Sequence, residues 1–214
     1  MSTTAAALSA TCAVLGLAPT EAQLQQLQAY LALLQRWNST YNLTAVRDPA
    51  EMLTHHLADC LAVLKPLTAA LPAGRVLDVG SGGGLPGAVL AIMCPALQVS
   101  CVDTVGKKAA FIRQVAAELR LPNLHAEHAR VEQLKRPPFD LITSRAFASL
   151  LDFTTLTRPL LAEGGVWMAM KGRAPDDEVA ALPAGVAVFH VEPLAVPGLD
   201  AQRCLVWMRR QEPA

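Results

Sequence analysis

A glycine-rich turn is the part of this chain whose residue types most clearly suggest chemistry. An apolar run that contains Asp78 is followed by five glycines between positions 80 and 87, with Pro86 just before the last of them. Apolar residues, glycines and a proline in this order predict a β-strand, a tight turn and the start of a helix. Because glycine has no side chain, a ligand could lie directly against the backbone of this turn. The residues therefore predict a binding site for a nucleotide cofactor.

Two kinds of cofactor fit the spacing of these glycines. Gly82, Gly84 and Gly87 satisfy the G-x-G-x-x-G pattern of domains that bind NAD or FAD. Gly80, Gly82 and Gly84 satisfy G-x-G-x-G, which after Asp78 is typical of loops that bind S-adenosylmethionine (SAM). SAM has no phosphate, and its ammonium group needs acceptors, which Asp78 and backbone carbonyls could supply. The residues favour SAM, and the alternatives are a dinucleotide or a turn with a purely structural role.

A second acid, Asp103, ends the next predicted strand. A carboxylate at this place in a nucleotide-binding unit can accept two hydrogen bonds from a ribose diol. The alternative is that Asp103 only caps the helix that follows it. The position supports a nucleotide cofactor without separating SAM from NAD.

The composition limits the class of protein. The chain has 214 residues, of which 52% are hydrophobic, enough for one domain with a substantial core. No apolar stretch reaches about 18 residues, and no basic segment opens the chain, so we expect neither a membrane span nor a secretory signal. The five cysteines are scattered without a C-x-x-C pair, which argues against a metal site or a disulfide framework and suits a cytoplasmic protein. The formal net charge is zero, so binding of nucleic acid would need a local basic patch or a partner surface.

Helical signals dominate the first part of the chain. A capping box at Thr20 predicts an amphipathic helix to about Trp37, and Asp48 followed by Pro49 predicts the start of a second helix. Residues 1–65 are therefore predicted to form an N-terminal helical cap, and residues 66–74 a short linker.

Strands and helices alternate after the linker. Strands are predicted near 75–79, 98–103, 123–127, 139–144, 165–170, 186–192 and 204–209, and helices near 86–94, 105–120 and 149–161. Gly164 and Gly165 are expected to break the chain before the fifth strand. This order predicts an α/β fold, a doubly wound, mostly parallel, Rossmann-like sheet of seven strands over residues 66–214. Ligands of such sheets bind at the carboxyl ends of the strands, which here are residues 78–85, 103, 144–145 and 171–173.

Several segments together resemble one known family. They are R-W-N-S-T-Y-N-L-T at 36–44, the glycine turn, G-K-K at 106–108, R-V-E at 130–132, S-R-A-F-A at 144–148 and K-G at 171–172. Over residues 20–210 the chain resembles the small-subunit rRNA guanine-N7 methyltransferases, also called the glucose-inhibited division protein B family. The resemblance implies a class I SAM-dependent methyltransferase fold and methyl transfer from SAM to N7 of a guanosine in 16S rRNA. The partner would be 16S rRNA in the context of the small ribosomal subunit.

The resemblance also implies which residues bind the cofactor. Contacts with SAM are expected in the turn, beside the adenine at Val131 and Glu132, and at Arg145. Asp103 is the position at which the general fold holds the ribose. The full expected set is Gly80, Gly82, Gly84, Leu85, Asp103, Val131, Glu132 and Arg145.

Four further residues are candidates for substrate contact. Asn38 and Asn42 could line a guanine pocket together with Trp37 and Tyr41, and the alternative is that this segment only packs the cap onto the sheet. Lys171 and Arg173 could contact phosphate, and the alternative is an ordinary solvated basic pair. His55 and His56 depart from the family pattern of a basic residue before a single histidine, and no role is assigned to them.

The expected reaction needs little from the side chains. Guanine N7 already presents a lone pair, so no general base is required and no residue is assigned with certainty as catalytic. Arg145 is the candidate, but a guanidinium only donates, so it could hold the SAM carboxylate, guanine O6 or a phosphate rather than N7. We favour the SAM carboxylate, with shared duty toward RNA, and the alternative is a structural salt bridge at the end of the strand. The alternatives are methylation of another RNA site or of a small molecule, an NAD-linked oxidoreductase, and a non-catalytic SAM-binding factor.

Overall fold

The computed structural model of the chain describes residues 3–145, 147 and 149–211. Ala146 and Ala148 of the S-R-A-F-A segment therefore lie outside the described residues. The seven strands are β1 (Gly74–Val79), β2 (Leu97–Asp103), β3 (Leu124–His128), β4 (Phe139–Ser144), β5 (Leu161–Lys171), β6 (Val186–Pro193) and β7 (Cys204–Arg210).

These strands form one seven-stranded sheet in the order β3-β2-β1-β4-β5-β7-β6. Strands β1 to β5 run parallel, and β7 lies antiparallel between β5 and β6. Because β1, β2 and β4 are parallel neighbours, their carboxyl ends lie at the same edge of the sheet. The predicted doubly wound, mostly parallel sheet is thus confirmed.

Helices cover both faces of the sheet. They are α1 (Thr3–Val14), α2 (Glu21–Tyr41), α3 (Pro49–Met52), α4 (Asp59–Ala62), α5 (Leu64–Ala70), α6 (Gly87–Met93), α7 (Gly106–Glu118), α8 (Leu150–Thr157) and α9 (Asp176–Ala180). A π-helical turn (Leu53–Ala58) joins α3 to α4, and short 3₁₀ turns occupy Val131–Gln133 and Arg158–Leu160.

Two local predictions are wrong. Residues 66–70, predicted as linker, belong to α5, because Pro66 falls in the first helical turn, where its missing N–H has no intrahelical partner to lose. Gly164 and Gly165 do not precede β5 but lie within it. Gly164 has a φ of +70°, and the register with β4 is irregular between Phe139 and Leu141, so the strand tolerates both glycines at an irregularity.

The alternation of apolar residues along β1 divides the core into two parts. Val76 belongs to a large cluster that also contains buried side chains of α2, α6 and α7, while Leu77 belongs to a second cluster under α8. Trp37 of α2 packs its ring 5.5 Å from the ring of Phe111 in α7. Helix α2, which belongs to the predicted cap of residues 1–65, therefore packs directly on α7.

Candidate functional site

The glycine turn begins where β1 ends, and its shape depends on left-handed backbone. Gly80, Gly82 and Gly84 have φ values of +67°, +57° and +83°, a region that other residues rarely adopt. The N–H of Gly80 donates to the carbonyl of Val102 in β2, over 2.9 Å. A Cβ at Gly80 would meet no atom within 4 Å, because the residue borders open space.

Asp78 of β1 forms a hydrogen bond with the last glycine of the turn. Its Oδ2 accepts the N–H of Gly87 over 2.8 Å, and the side chain is fully buried. Its Oδ1 is buried and has no hydrogen-bond partner among the described residues. Burial raises the pKa of Asp78 to about 7, although the Gly87 N–H opposes the rise. A Cβ at Gly87 would clash with Cys101, so only glycine permits this close packing.

Asp103, the last residue of β2, accepts two backbone hydrogen bonds. Its Oδ2 accepts the N–H of Gly82 over 2.9 Å, and its Oδ1 accepts the N–H of Val105 over 2.9 Å. Lys108 lies 3.6 Å from Oδ2. Asp103 therefore connects the glycine turn to the start of α7. Each carboxylate oxygen still has a lone pair for a ligand hydroxyl.

A cavity of about 410 Å³ lies at this edge of the sheet. Four of the residues predicted for the cofactor line it, namely Gly80, Asp103, Val131 and Glu132. Val79, Lys108 and Phe147 also line it. Gly82, Gly84, Leu85 and Arg145 are not part of this lining. We refer to this space as the cofactor cavity.

The cap contributes a contact that sequence analysis missed. The buried hydroxyl of Tyr30 in α2 donates to the carbonyl of Gly83 over 2.7 Å. A Cβ at Gly83 would lie 3.1 Å from Leu34 of the same helix. The glycine turn is thus packed between the cap and the sheet.

Arg145, which follows β4, is bound to the cap. Its Nη1 lies 3.3 Å from Asp59 Oδ2 and 3.1 Å from the carbonyl of His55. Arg203, just before β7, donates from Nε to Asp59 Oδ1 over 3.0 Å. Asp59 is 2% exposed, so the chain places one buried carboxylate between two arginines.

Asn38 and Asn42 shape the loop that follows α2. The Asn38 amide donates to the carbonyl of Val46 and accepts the N–H of Thr44, and its side chain is buried. Asn42 ends α2 in the left-handed conformation, with a φ of +49°. These contacts favour a structural role for Asn38. Asn42 is exposed, and its Oδ1 accepts a hydrogen bond from Arg47.

Lys171 and Arg173 differ in their surroundings. Lys171 Nζ contacts both carboxylate oxygens of Glu178, at 3.0 and 2.8 Å. Glu178 also accepts the N–H of Leu150, so Lys171 takes part in joining β5, α8 and α9. Arg173 is exposed beside this group. Of the two predicted phosphate contacts, Arg173 is the more accessible.

The residues that sequence analysis missed, Tyr30, Asp59 and Arg203, act through long-range contacts. Only Asp59 left a sequence signal, as the one acid in the otherwise apolar run of residues 57–64. The described residues contain no cluster of three or more His, Cys, Asp or Glu side chains suited to a metal ion. No helix in the described part of the chain combines enough length with enough apolar character to traverse a bilayer.

Comparison with solved structures identifies the fold. TrmN from Thermus thermophilus matches with a TM-score of 0.58 at 23% identity, over 74% of this chain and 53% of that one. A SAM-dependent methyltransferase from Aquifex aeolicus matches with a TM-score of 0.56 at 17% identity, over 75% of this chain and 93% of that one. The sheet is therefore that of the class I SAM-dependent methyltransferases.

Comparison of sequences identifies the family. A protein of Acidovorax sp. (strain JS42) is 62% identical over 91% of this chain and 90% of its own length. One from Paracidovorax citrulli is 60% identical over 98% of this chain and 91% of its own. Both are named ribosomal RNA small subunit methyltransferase G. The model of the GidB family, described as rRNA small subunit methyltransferase G, matches residues 23–206. The chain therefore belongs to the rRNA small subunit methyltransferase G family.

Proposed function

We propose that this protein transfers a methyl group from SAM to N7 of a guanosine in 16S rRNA of the small ribosomal subunit. The observation that carries the proposal is the 62% identity to a named rRNA methyltransferase across 91% of the chain. Family membership speaks against the NAD-linked oxidoreductase and against a small-molecule acceptor. An rRNA substrate also agrees with the predicted cytoplasmic location.

The lining of the cofactor cavity supports SAM as the cofactor. Open space beside Gly80 leaves room that a Cβ would fill. Asp78 Oδ1 is an acceptor without a partner among the described residues, but it is buried beneath the turn and does not line the cavity. In our proposal Asp103 accepts from the ribose hydroxyls, and Val131 and Glu132 flank the adenine. Gly82, Gly84 and Leu85 shape the turn without lining the cavity, since both glycines have left-handed backbone and Leu85 is buried. When bound, SAM supplies an electrophilic methyl group.

In the proposed reaction the protein has to orient the guanine that accepts the methyl group, and it does not have to move a proton. Guanine N7 attacks with its own lone pair, so no side chain needs to act as a base. Alignment of the two reactants is a recognised source of rate acceleration. The methylated guanine carries positive charge, so carbonyl and carboxylate oxygens near the base favour the product, whereas a cation on N7 would oppose it.

Arg145 is our candidate for a contact with the SAM carboxylate. Sequence analysis favoured a contact with the SAM carboxylate, with shared duty toward RNA. Arg145 is ion-paired to Asp59 of the cap and does not line the cofactor cavity. The ion pair agrees with the alternative of a structural salt bridge at the end of β4, and SAM binding by an Arg145 variant would decide between the two roles. Arg173 remains our candidate for a phosphate contact.

The test begins with ligand binding. Calorimetry should detect binding of SAM to the purified protein and no comparable binding of NAD. Methyl transfer from labelled SAM is then measured with small subunits that lack the N7 methyl group, with fully methylated subunits as the control. Cleavage of the rRNA at N7-methylguanine locates the product. Binding of NAD without binding of SAM would overturn the assignment of SAM as the cofactor. A product methylated at another atom would overturn only the assignment of N7.

A further inference from the structure

The cations of this neutral chain are unevenly distributed along it. Residues 104–136 contain seven of the 18 Lys and Arg residues but only three of the 18 Asp and Glu residues, so their formal charge is +4 and that of the rest is −4. This segment contains α7, the strand β3 and the 3₁₀ turn that follows it. A protein without net charge can therefore still present a basic surface to nucleic acid.

One group of these cations lies on α7, beside the strand at the edge of the sheet. Strand β3 is the last strand at this edge, and α7 packs against it. Lys107 and Arg113 of α7 are exposed. Arg113 Nη1 donates to the carbonyl of Ala126 in β3 over 3.3 Å, which places this side chain against the edge strand.

A second group lies on the opposite face of β3. His128 faces α7, since a Cβ at Gly106 would lie 3.2 Å from its ring. Side chains alternate along a strand, so Glu127 faces the other way, and it forms an ion pair with Arg136. Two more exposed cations belong to the segment between β3 and Arg136. We call the five exposed cations of the two groups the basic rim; they are Lys107, Arg113, Arg130, Lys135 and Arg136.

Three cations of the basic rim have no acidic partner. In the part of the chain that the structure describes, no carboxylate forms an ion pair with Lys107, Arg113 or Lys135. Arg130 lies 3.7 Å from Glu132, and both side chains of this pair are well exposed. Cations without acidic partners repel one another, and an anionic ligand along the rim offsets this repulsion.

The basic rim begins at the cofactor cavity. Arg130 and Lys108 both line that cavity, and Lys107 precedes Lys108 in the first turn of α7. From there the rim follows β3, whose five residues extend over about 15 Å. A ligand bound along the rim therefore lies next to the proposed SAM site.

The basic rim offers charge but no ring on which a base could stack. Residues 104–136 contain one Phe, Tyr or Trp residue, Phe111, and its side chain is fully buried. Single-stranded nucleic acid is commonly bound through exposed aromatic side chains that stack on the bases. Double-stranded RNA is bound mainly through its phosphates and 2′-hydroxyl groups. The rim therefore matches the backbone of a duplex better than it matches unpaired bases.

We propose that the basic rim binds the phosphate backbone of a double-stranded stem of 16S rRNA that adjoins the unpaired target guanosine. The inference rests on the proposed function, which supplies the rRNA substrate. A-form RNA hides guanine N7 in its deep major groove, so the target is unpaired while the rim holds the stem beside it. Phosphate contacts of this kind position the RNA and carry no sequence information.

Removal of two unpaired cations tests the basic rim. For the double variant Arg113→Gln, Lys135→Gln we expect the Kd for small subunits to rise about tenfold or more and the salt slope of log K to fall by about 2. The Kd for SAM should stay at the wild-type value. The double variant Lys65→Gln, Arg209→Gln is the matched control, because it removes one exposed lysine and one exposed arginine outside the rim. A wild-type salt slope in the rim variant, or an equal fall in both variants, would overturn the proposal.

A substitution that adds net positive charge tests the basic rim in the opposite direction. Glu127→Gln removes the carboxylate that pairs with Arg136, so it should lower the Kd for small subunits about threefold or more. Glu163→Gln removes an exposed carboxylate of β5 and should leave the Kd unchanged. An unchanged or raised Kd in Glu127→Gln would contradict the proposal. This variant also carries the test if the double variant fails to fold, as judged by thermal unfolding.

A binding measurement without methylation separates this inference from the proposed function. The probe is an RNA duplex of about 16 base pairs with an unrelated sequence, compared with a single strand of the same length. The wild type should bind the duplex more tightly, and the rim variant should lose this preference. Equal or tighter binding of the single strand would overturn the proposal. Duplex binding by a protein that does not methylate small subunits would refute the proposed function alone, and methylation without duplex binding would refute the rim alone.

Discussion

Gly80 combines a left-handed backbone with open space toward the cofactor cavity. A methyl group there adds strain and also occupies the space proposed for SAM. For Gly80→Ala we expect the Kd for SAM to rise about tenfold or more, as measured by calorimetry.

Gly164 provides a matched control for that substitution. It has a similar φ of +70° and equally open space beside it, but it lies in β5, outside the lining of the cofactor cavity. Gly164→Ala should lose about 1–2 kcal/mol of stability from the same strain and keep wild-type affinity for SAM. Equal effects of the two substitutions on SAM binding would mean that strain alone explains the result.

Arg173 is exposed at the carboxyl end of β5, whereas its neighbour Lys171 is paired with Glu178. If Arg173 contacts a phosphate, Arg173→Ala should weaken binding of small subunits and lower the salt slope of log K by about 1. Arg209→Ala, an exposed arginine at the far end of β7, removes the same charge and is the control. A salt slope that both substitutions change equally would indicate a general charge effect.

At the scale of the element, α2 holds the glycine turn through Tyr30. The hydroxyl of Tyr30 donates to Gly83 O in a buried setting, so its removal leaves that carbonyl without this donor. Tyr30→Phe should cost about 1 kcal/mol of stability and weaken SAM binding several-fold because the turn is less restrained. Denaturant unfolding and calorimetry measure the two effects.

Tyr41→Phe is the matched control, since Tyr41 lies at the end of the same helix with its side chain exposed. It should leave both stability and SAM affinity near wild type. Unchanged SAM affinity in Tyr30→Phe would mean that the cap does not restrain the turn.

The elements themselves could largely be predicted from the sequence. All seven strands were placed within a few residues because their apolar runs are bounded by glycine, proline or charged residues. The errors fell at Pro66 and at Gly164–Gly165, residues that usually interrupt structure. Pro66 lies in the first turn of α5, where a proline does not break the helix. Gly164 and Gly165 lie in β5 where its register with β4 is irregular.

At the scale of the whole molecule, two buried groups make opposite contributions to the pH dependence of stability. Burial and the nearby Arg145 lower the pKa of His56 to about 4, so between pH 4 and 6.5 the unfolded chain binds a proton at this residue that the folded chain does not. Stability therefore rises with pH in this window, by up to about 3 kcal/mol. Asp78 has a pKa of about 7 in the folded chain, so the folded state holds the extra proton between pH 4 and 7. Its contribution falls with rising pH, by up to about 4 kcal/mol.

The two slopes should nearly cancel in the wild type and appear separately in variants. His56→Gln should lose stability as the pH rises from 4 to 7, and Asp78→Asn should gain stability from pH 4 to 6.5. Denaturant unfolding without ligand at half-unit pH intervals measures both, with each variant compared with the wild type at the same pH. Parallel curves for all three proteins would contradict the assigned protonation states.

The candidate site was predictable only in part. The positions that line the cofactor cavity, Gly80, Asp103, Val131 and Glu132, follow from a local pattern or from a short family motif. Asn38 was predicted near the substrate but is occupied within its own loop. Whether a polar side chain is free for a ligand depends on its neighbours in space, which its neighbours in sequence do not reveal.

The sequence by itself determined the α/β fold, the glycine turn and the family, because each is encoded by residues a few positions apart. Only the tertiary structure decided that the predicted cap contacts the glycine turn through Tyr30, and Arg145 and Arg203 through Asp59. Tyr30 and Gly83 are 53 positions apart, Asp59 and Arg145 86, and Asp59 and Arg203 144. Local rules of turns, caps and strands extend over a few residues, whereas a buried carboxylate takes its partners from whichever segments the packed chain brings within about 4 Å.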